Sequence, residues 1–186
     1  MSVDFSKEGA EGPPVTAQNI FVTGPPRCGK STLIEKLVLR IEKPKTGFFT
    51  REIREKGRRT GFSITTLDGK EGVLAHENIK SKFRVGKYGV NLPDIDQIAV
   101  PSMQPAGPGE VVVVDEVGKM ECFSSLFRKT LMKMLDSDHQ MLGSIAQKGD
   151  RFIREIKARN DVLLVRVTEE NRDAPELFSR LLSAFD

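Results

Sequence analysis

The run Gly24-Pro25-Pro26-Arg27-Cys28-Gly29-Lys30-Ser31-Thr32 has the spacing G-x-x-x-x-G-K-[ST] of a phosphate-binding loop, the Walker A pattern. Each position in that spacing has a chemical task. Successive backbone N–H groups between Gly24 and Lys30 can curl round a β-phosphate, and the helix that follows turns the positive end of its dipole toward the same anion. Lys30 adds a mobile charge for the β- and γ-phosphates, and the Ser31 hydroxyl is a ligand for Mg²⁺. All nine residues from Gly24 to Thr32 are therefore expected to bind nucleotide. Arg27 stands where such loops commonly have glycine. Because that position calls for positive φ, an arginine there is expected to strain the backbone.

A second acidic motif supplies the partner such a loop requires. Val111-Val112-Val113-Val114-Asp115-Glu116 is an apolar strand with two carboxylates at its carboxyl end, a Walker B pattern. Asp115 is expected to hold Mg²⁺ opposite Ser31, through a water. Glu116, beside it, can take a proton from the water that attacks a γ-phosphate. That pair points to hydrolysis with a built-in base.

Other candidates follow from position. Asn171 and Arg172 come after the last central strand, at the carboxyl edge where nucleotides bind in α/β sheets, and are candidates for base or ribose contact. Asp173-Ala174-Pro175-Glu176 reads as a helix start, with Asp173 as N-cap and Glu176 completing a capping box. Lys119 can stabilise γ-phosphate charge from within the chain. Arg51, Arg54, Arg84 and Lys87 compete for that role, and spacing ranks none of them. Glu52 and Glu121 are candidates to orient water or these cations. His76 and His139 read as surface residues.

The elements that must position these groups alternate in character. Ile20, Phe21 and Val22 form a strand leading into the loop. Leu33, Ile34, Leu37, Val38 and Ile41 then recur at helical spacing over Lys30 to Glu42, stopping before Pro44. From Thr46 to Ala75 the chain reads as an antiparallel meander with turns at Gly57 and Asp68-Gly69. Phe83 to Asn91 reads as a loop entering a short strand, and Pro101 to Gly109 as a connection. Beyond the valine strand come a helix striped by Leu126, Phe127, Thr130, Leu131, Met134 and Leu135, a strand over Met141–Ala146 and a helix over Arg151–Arg159. A strand over Val162–Val167 and a closing helix over Pro175–Phe185 complete the chain. This alternation predicts a three-layer α/β fold with a mixed sheet. Met132, Met134 and Met141 read as core filler.

Composition narrows the function classes. The chain has 186 residues, suited to one domain, with 29 basic and 26 acidic side chains for a net charge of +3. That balance does not imply nucleic acid as a partner. The dense basic set Arg51, Arg54, Lys56, Arg58 and Arg59 reads first as a solvated hairpin. The two cysteines, Cys28 and Cys122, each adjoin a candidate motif and lack metal-ligand spacing, which fits reduced thiols in a cytoplasmic protein. Residues 1–18 have no apolar segment and read as a flexible leader, with a single domain over 19–186. No stretch is long and apolar enough to span a bilayer. The oligomeric state is left open.

Asp115-Glu116-Val117-Gly118-Lys119-Met120-Glu121 resembles the hallmark of the small thermophilic-type P-loop nucleoside triphosphatases, the family that includes cancer-related nucleoside triphosphatase. Further segments carry the same resemblance, among them Thr46-Gly47-Phe48-Phe49-Thr50-Arg51-Glu52-Ile53-Arg54, Arg84 to Val90 and Val167 to Asp173. The resemblance runs from about Asn19 to the C-terminus. It implies a RecA-like P-loop core of the catalytic-glutamate class and Mg²⁺-dependent hydrolysis of several nucleoside triphosphates to diphosphate and phosphate. Two departures stand out. Arg27-Cys28 replaces small residues of the loop, altering phosphate affinity or adding a charge near the γ-phosphate, and Cys122-Phe123 replaces a leucine and a polar residue, altering packing. No run of residues offers a hydrogen-bond code for one base, so ATP, GTP, CTP and UTP are all expected substrates. A small-molecule or nucleoside kinase, or a slow nucleotide-dependent switch or RNA-associated module, would share the loop and Asp115. Glu116 favours the hydrolase.

Overall fold

In a computed structural model of the protein, which describes residues 2–3 and 17–186, the β-branched runs of the sequence become the middle of one sheet. Its strands are β1 (Ser2–Val3), β2 (Asn19–Thr23), β3 (Lys45–Glu55), β4 (Arg58–Thr66), β5 (Glu71–His76), β6 (Arg84–Val85), β7 (Tyr88–Val90), β8 (Val111–Val117), β9 (Met141–Ile145) and β10 (Val162–Arg166). The spatial order is β1-β10-β2-β9-β8-β3-β4-β5-β7-β6. Every pair from β1 to β3 in that order is parallel, and every pair from β3 onward is antiparallel. The sheet is mixed because β3 serves both halves. The leader expected over 1–18 lies outside the described residues, apart from Ser2–Val3 and residues 17–18.

Alternation along the parallel strands sorts side chains to two helical layers. Ile20, Val22, Val111, Val113 and Val165 pack with Leu33, Ile34 and Leu37 of α1 (Lys30–Arg40) and with Leu177 and Leu181 of α6 (Pro175–Leu182). Phe21, Val112, Val114 and Leu164 face the other way. There they meet Phe127 and Leu131 of α4 (Ser125–Leu135) and Ile153 and Ile156 of α5 (Arg151–Lys157). With both faces covered, the strands read as continuous apolar runs. The result is the three-layer P-loop fold that the sequence predicts. One strand, β9, stands between the loop-bearing β2 and the acidic β8, as a RecA-like core requires.

Several boundaries and roles differ from the sequence reading. Helix α1 ends at Arg40, because Ile41 turns to extended backbone as the chain approaches Pro44. Phe83 to Asn91 forms a hairpin, β6–β7, rather than a loop and one strand. Residues 92–102 are helical, as α2 (Leu92–Asp94), a π-turn (Ile95–Ala99) and α3 (Val100–Ser102), and Pro93 and Pro101 hid this from periodicity. Ile95, Ala99 and Met103 cover one face of the antiparallel half. Leu126 is 43% exposed and lies off the buried stripe of α4. His76 and His139 are half-buried rather than surface residues. His76 approaches Glu55 at 3.8 Å, and a ring nitrogen of His139 lies 3.3 Å from the Glu110 carbonyl. Among the described residues no helix is long and apolar enough to cross a membrane.

Candidate active site

The carboxyl ends of β2 and β8 bring the two motifs together. After β2 the chain leaves the sheet through Gly24, where a Cβ would collide with the Val167 carbonyl that follows β10. Arg27 has φ 65, the left-handed conformation that spacing implied for this position and that costs a non-glycine residue on the order of 1 kcal/mol. Gly29 caps α1 at φ 100, again left-handed, and the side chain of Arg172 lies against it. A Cβ on Gly29 would stand 2.8 Å from the Arg172 Cδ. Cys28 is buried under the loop, and both cysteines are free thiols. Burial pushes the Cys122 thiol up to about 12, so it stays protonated. Pro25, Pro26 and Arg27 are exposed, while Ser31 and Thr32 sit exposed on the first turn of α1.

Lys30 donates from Nζ to the loop carbonyls of Gly24 at 3.2 Å and Pro25 at 3.0 Å. These contacts hold the ammonium at the mouth of the cradle. Asp115 is fully buried at the end of β8. Its Oδ1 accepts the hydroxyl of Ser144 from the neighbouring β9, and the Ser31 hydroxyl stands near enough to lower its pKa. Its Oδ2 is buried with no hydrogen-bond partner among the described residues, and so is the Thr23 hydroxyl at the end of β2. Burial raises the Asp115 pKa, while the Ser144 and Ser31 hydroxyls and the Lys30 charge pull it down. An unpartnered carboxylate oxygen beside a serine hydroxyl is an oxygen-only donor set, and it fits a hard divalent cation such as Mg²⁺.

Glu116 is half-buried, and the peptide bond joining it to Asp115 is cis. Burial raises its pKa, the Lys30 charge lowers it, and repulsion from Asp115 raises it again. A carboxyl with that balance accepts a proton more readily than an exposed one. Glu121 folds beneath the same turn. It is 4% exposed and accepts the Gly118 N–H at 3.1 Å. Burial, with repulsion from Glu116, pushes its carboxyl up to about 8. Lys119 is exposed on the turn between them.

Of the two candidates after β10, only Arg172 faces an opening. A cleft of about 220 Å³ is lined by Gly29, Thr32, Leu33, Lys36, Arg172 and Asp173. Asn171 uses both ends of its amide within its own loop, donating to the Arg166 carbonyl at 2.9 Å and accepting the Thr168 N–H at 2.8 Å. It shapes the loop that presents Arg172. Asp173 is not the cap of α6. Ala174 takes that position, and the Asp173 carboxylate turns instead to Lys36 at 3.1 Å and to Arg172 at 3.2 Å. Glu52, proposed to orient water, is engaged by Arg59 and Arg54, and the Arg59 hydrogen bond holds its carboxyl below the usual range. Sequence reasoning missed Ser144. Its only signal is one polar side chain in the apolar run Met141-Leu142-Gly143-Ser144-Ile145.

The chain is similar in sequence and fold to known proteins. A sequence profile of the NTPase family matches residues 19–182. Nucleoside-triphosphatase THEP1 of Thermotoga sp. (strain RQ2) is 44% identical over 165 residues, 88% of this chain and 93% of that one. Human cancer-related nucleoside-triphosphatase is 41% identical over 174 residues, covering 84% and 92%. The crystal structure of THEP1 from Aquifex aeolicus superposes with a TM-score of 0.82 at 34% identity, over 90% of this chain and 99% of that one. Together with the loop at the end of β2 and the acidic pair at the end of β8, these matches mean that the chain belongs to the NTPase family.

Proposed function

We propose that this protein hydrolyses nucleoside triphosphates to the diphosphate and phosphate, with Mg²⁺ and with little preference among bases. The observation that carries this reading is the meeting of Lys30, Asp115 and Glu116 at one end of the sheet, with one Asp115 oxygen buried and unpartnered. The names of the relatives, nucleoside-triphosphatases, agree with it. The two free cysteines fit a reducing, cytoplasmic setting.

In this reading the backbone N–H groups of Arg27, Cys28, Gly29 and Lys30 and the Lys30 ammonium bind the β- and γ-phosphates. Bound by Ser31 and Asp115, Mg²⁺ would neutralise charge on the phosphate oxygens. Ser144 keeps the Asp115 carboxylate turned to that duty. Glu116 takes a proton from water as its oxygen bonds to the γ-phosphorus. The bond to the bridging oxygen breaks, and its electron pair leaves with the diphosphate. Glu116 then returns the proton to solvent. The cleft beside Arg172 offers a planar guanidinium, whose face can stack on any nucleobase.

Phosphate release without an added acceptor, measured across ATP, GTP, CTP and UTP with and without Mg²⁺, tests the proposal and separates it from a kinase or a slow switch. Efficiencies within roughly tenfold of one another are expected, a spread of about 1.4 kcal/mol. Glu116→Gln should keep nucleotide binding while turnover falls by roughly a hundredfold or more. Normal hydrolysis by that variant would overturn the role given to Glu116.

A further inference from the structure

Five cations compete for the γ-phosphate on spacing alone, and their positions separate them. Arg84 and Lys87 belong to the β6–β7 end of the sheet, on the far side of β4 and β5 from the β8 carboxylates. Arg84 is spent on the Lys87 carbonyl at 2.5 Å, and Lys87 on Glu77 at 2.8 Å. Arg54 grips Glu52 with two nitrogens and the Gly57 carbonyl with a third. Lys119 lies in the open on its turn. Arg51 differs from all four.

Strand β3 pairs parallel with β8, and Phe49 sits opposite Asp115. Phe49 packs into the core shared with α1, so Arg51, two residues on, presents the same face. Asp115 uses that face as well, since it follows Val111 and Val113 in the alternation of β8 and both of these pack against α1. Two residues of strand rise about 7 Å, so Arg51 overhangs the carboxyl edge at which the phosphate loop opens. Its guanidinium meets Glu35 of α1 at 2.9 Å, one helical turn beyond Ser31. Glu35 is near enough for its charge to act on Asp115. Both side chains remain well exposed, 57% for Arg51 and 39% for Glu35, so their ion pair is weak and exchangeable.

We propose that Arg51 is the cation that closes on the γ-phosphate during hydrolysis, and that Glu35 holds it aside while no nucleotide is bound. The inference rests on the hydrolase reading above. Arg51 exchanges one carboxylate for the γ-phosphoryl oxygens, which carry more charge and accept its planar fork at two points. It forms and breaks no covalent bond. It neutralises charge as the bond to the bridging oxygen opens and the electron pair moves to the diphosphate.

The test compares wild type with Arg51→Ala, Arg51→Lys and Glu35→Gln in single-turnover phosphate release, direct nucleotide binding, and binding of the diphosphate with aluminium fluoride as a transition-state mimic. Arg51→Ala should lose at least about a hundredfold in kcat, with nucleotide affinity within about fivefold of wild type. Affinity for the mimic should fall in step with kcat, and added guanidinium should restore part of the rate. Glu35→Gln should raise kcat/KM by about twofold to fivefold, and should do nothing in the Arg51→Ala background. An Arg51→Ala enzyme that keeps more than about a third of its kcat overturns the proposal. So does a loss that guanidinium does not restore and the mimic does not register, since that marks a merely structural role. If Arg51→Ala fails to fold, Arg51→Lys decides, because it keeps a charge for Glu35 but lacks the fork. A kcat drop of about tenfold or more supports the assignment and full activity removes it. Wild-type protein that releases no phosphate from any triphosphate sinks the hydrolase reading, and this proposal with it. An active wild type matched by Arg51→Ala sinks only the assignment of Arg51.

Discussion

In β8 four consecutive valines lie fully buried between two helical layers, whereas in β4 Arg58 and Arg59 stand beside Thr60 with one face open to water. The parallel half of the sheet, from β10 to β3, has no free face, so its strands can present chemistry only where the chain leaves them. Lys30, Asp115 and Glu116 all lie at that carboxyl edge. The antiparallel half is covered on one face by residues 92–102, and its solvent-reached margin carries ion pairs such as Arg58–Glu77 and Arg59–Glu52. The buried carboxylates at the end of β8 and the solvent-reached, paired ones of the antiparallel half therefore shift in opposite directions. Burial drives Glu121 up to about 8, while Lys87 and Arg58 hold Glu77 low. Desolvation dominates where no cation can follow the carboxyl inside, and the partner dominates where solvent admits one.

The sharpest way to break this contrast is at the edge of the parallel half. Lys30→Ala removes a point charge from the phosphates and should lower kcat/KM by about a thousandfold, ~4 kcal/mol, in a steady-state phosphate assay. The melting temperature should change little, since the ammonium bonds only to two loop carbonyls.

A smaller effect tests whether the halves fold as one. Phe48 on β3 is fully buried and meets Phe127 of α4 edge-on, with ring centroids 6.3 Å apart. Phe48→Ala should cost about 3–4 kcal/mol in urea unfolding, with a single transition. Two transitions would show that the halves unfold separately.

Smaller again is a pH effect on Glu121. Its folded pKa of about 8 lies above the ordinary 4.5, so between those values the folded chain holds a proton that the unfolded chain has released. Stability contributed by this group is fully present below pH 4.5, declines as pH rises toward 8, and is flat beyond. Glu121→Gln should remove that decline, so that the variant gains on the order of 2–3 kcal/mol on wild type at pH 8 relative to pH 5, read from urea midpoints. Equal slopes for the two proteins would mean that Glu121 is not held neutral. The least effect belongs to the open half, where Arg58→Ala should leave turnover within about twofold and the melting temperature within about two degrees.

The order of elements was legible because it rests on local signals. The valine run, the helical stripes of α1 and α4, and the turns at Gly57 and Asp68-Gly69 each lie within a few residues of one another. The helical stretch over 92–102 was not legible, since Pro93 and Pro101 mark a break in most contexts and are tolerated here only in first turns. The cap of α6 was misread for a related reason. Asp173 has the right type for a cap, but Lys36, 137 residues earlier, draws its carboxylate away. His76 and His139 looked exposed because their neighbours in sequence are polar, while packing half-covers both.

By itself the sequence determined the phosphate loop, the acidic pair, the alternation of strand and helix, and the membership in a nucleotide-hydrolysing family that those residues announce. These depend on spacing within a single element, which the chain carries wherever it folds. The tertiary structure alone decided that Ser144 would steady Asp115, that Arg172 rather than Asn171 would line the cleft, and that Arg51 would pair with Glu35 of α1. Each of those joins residues from different strands and helices. Their contact follows from the order in which β2, β9, β8 and β3 lie side by side, and that order is set by burying apolar faces on both sides of the sheet.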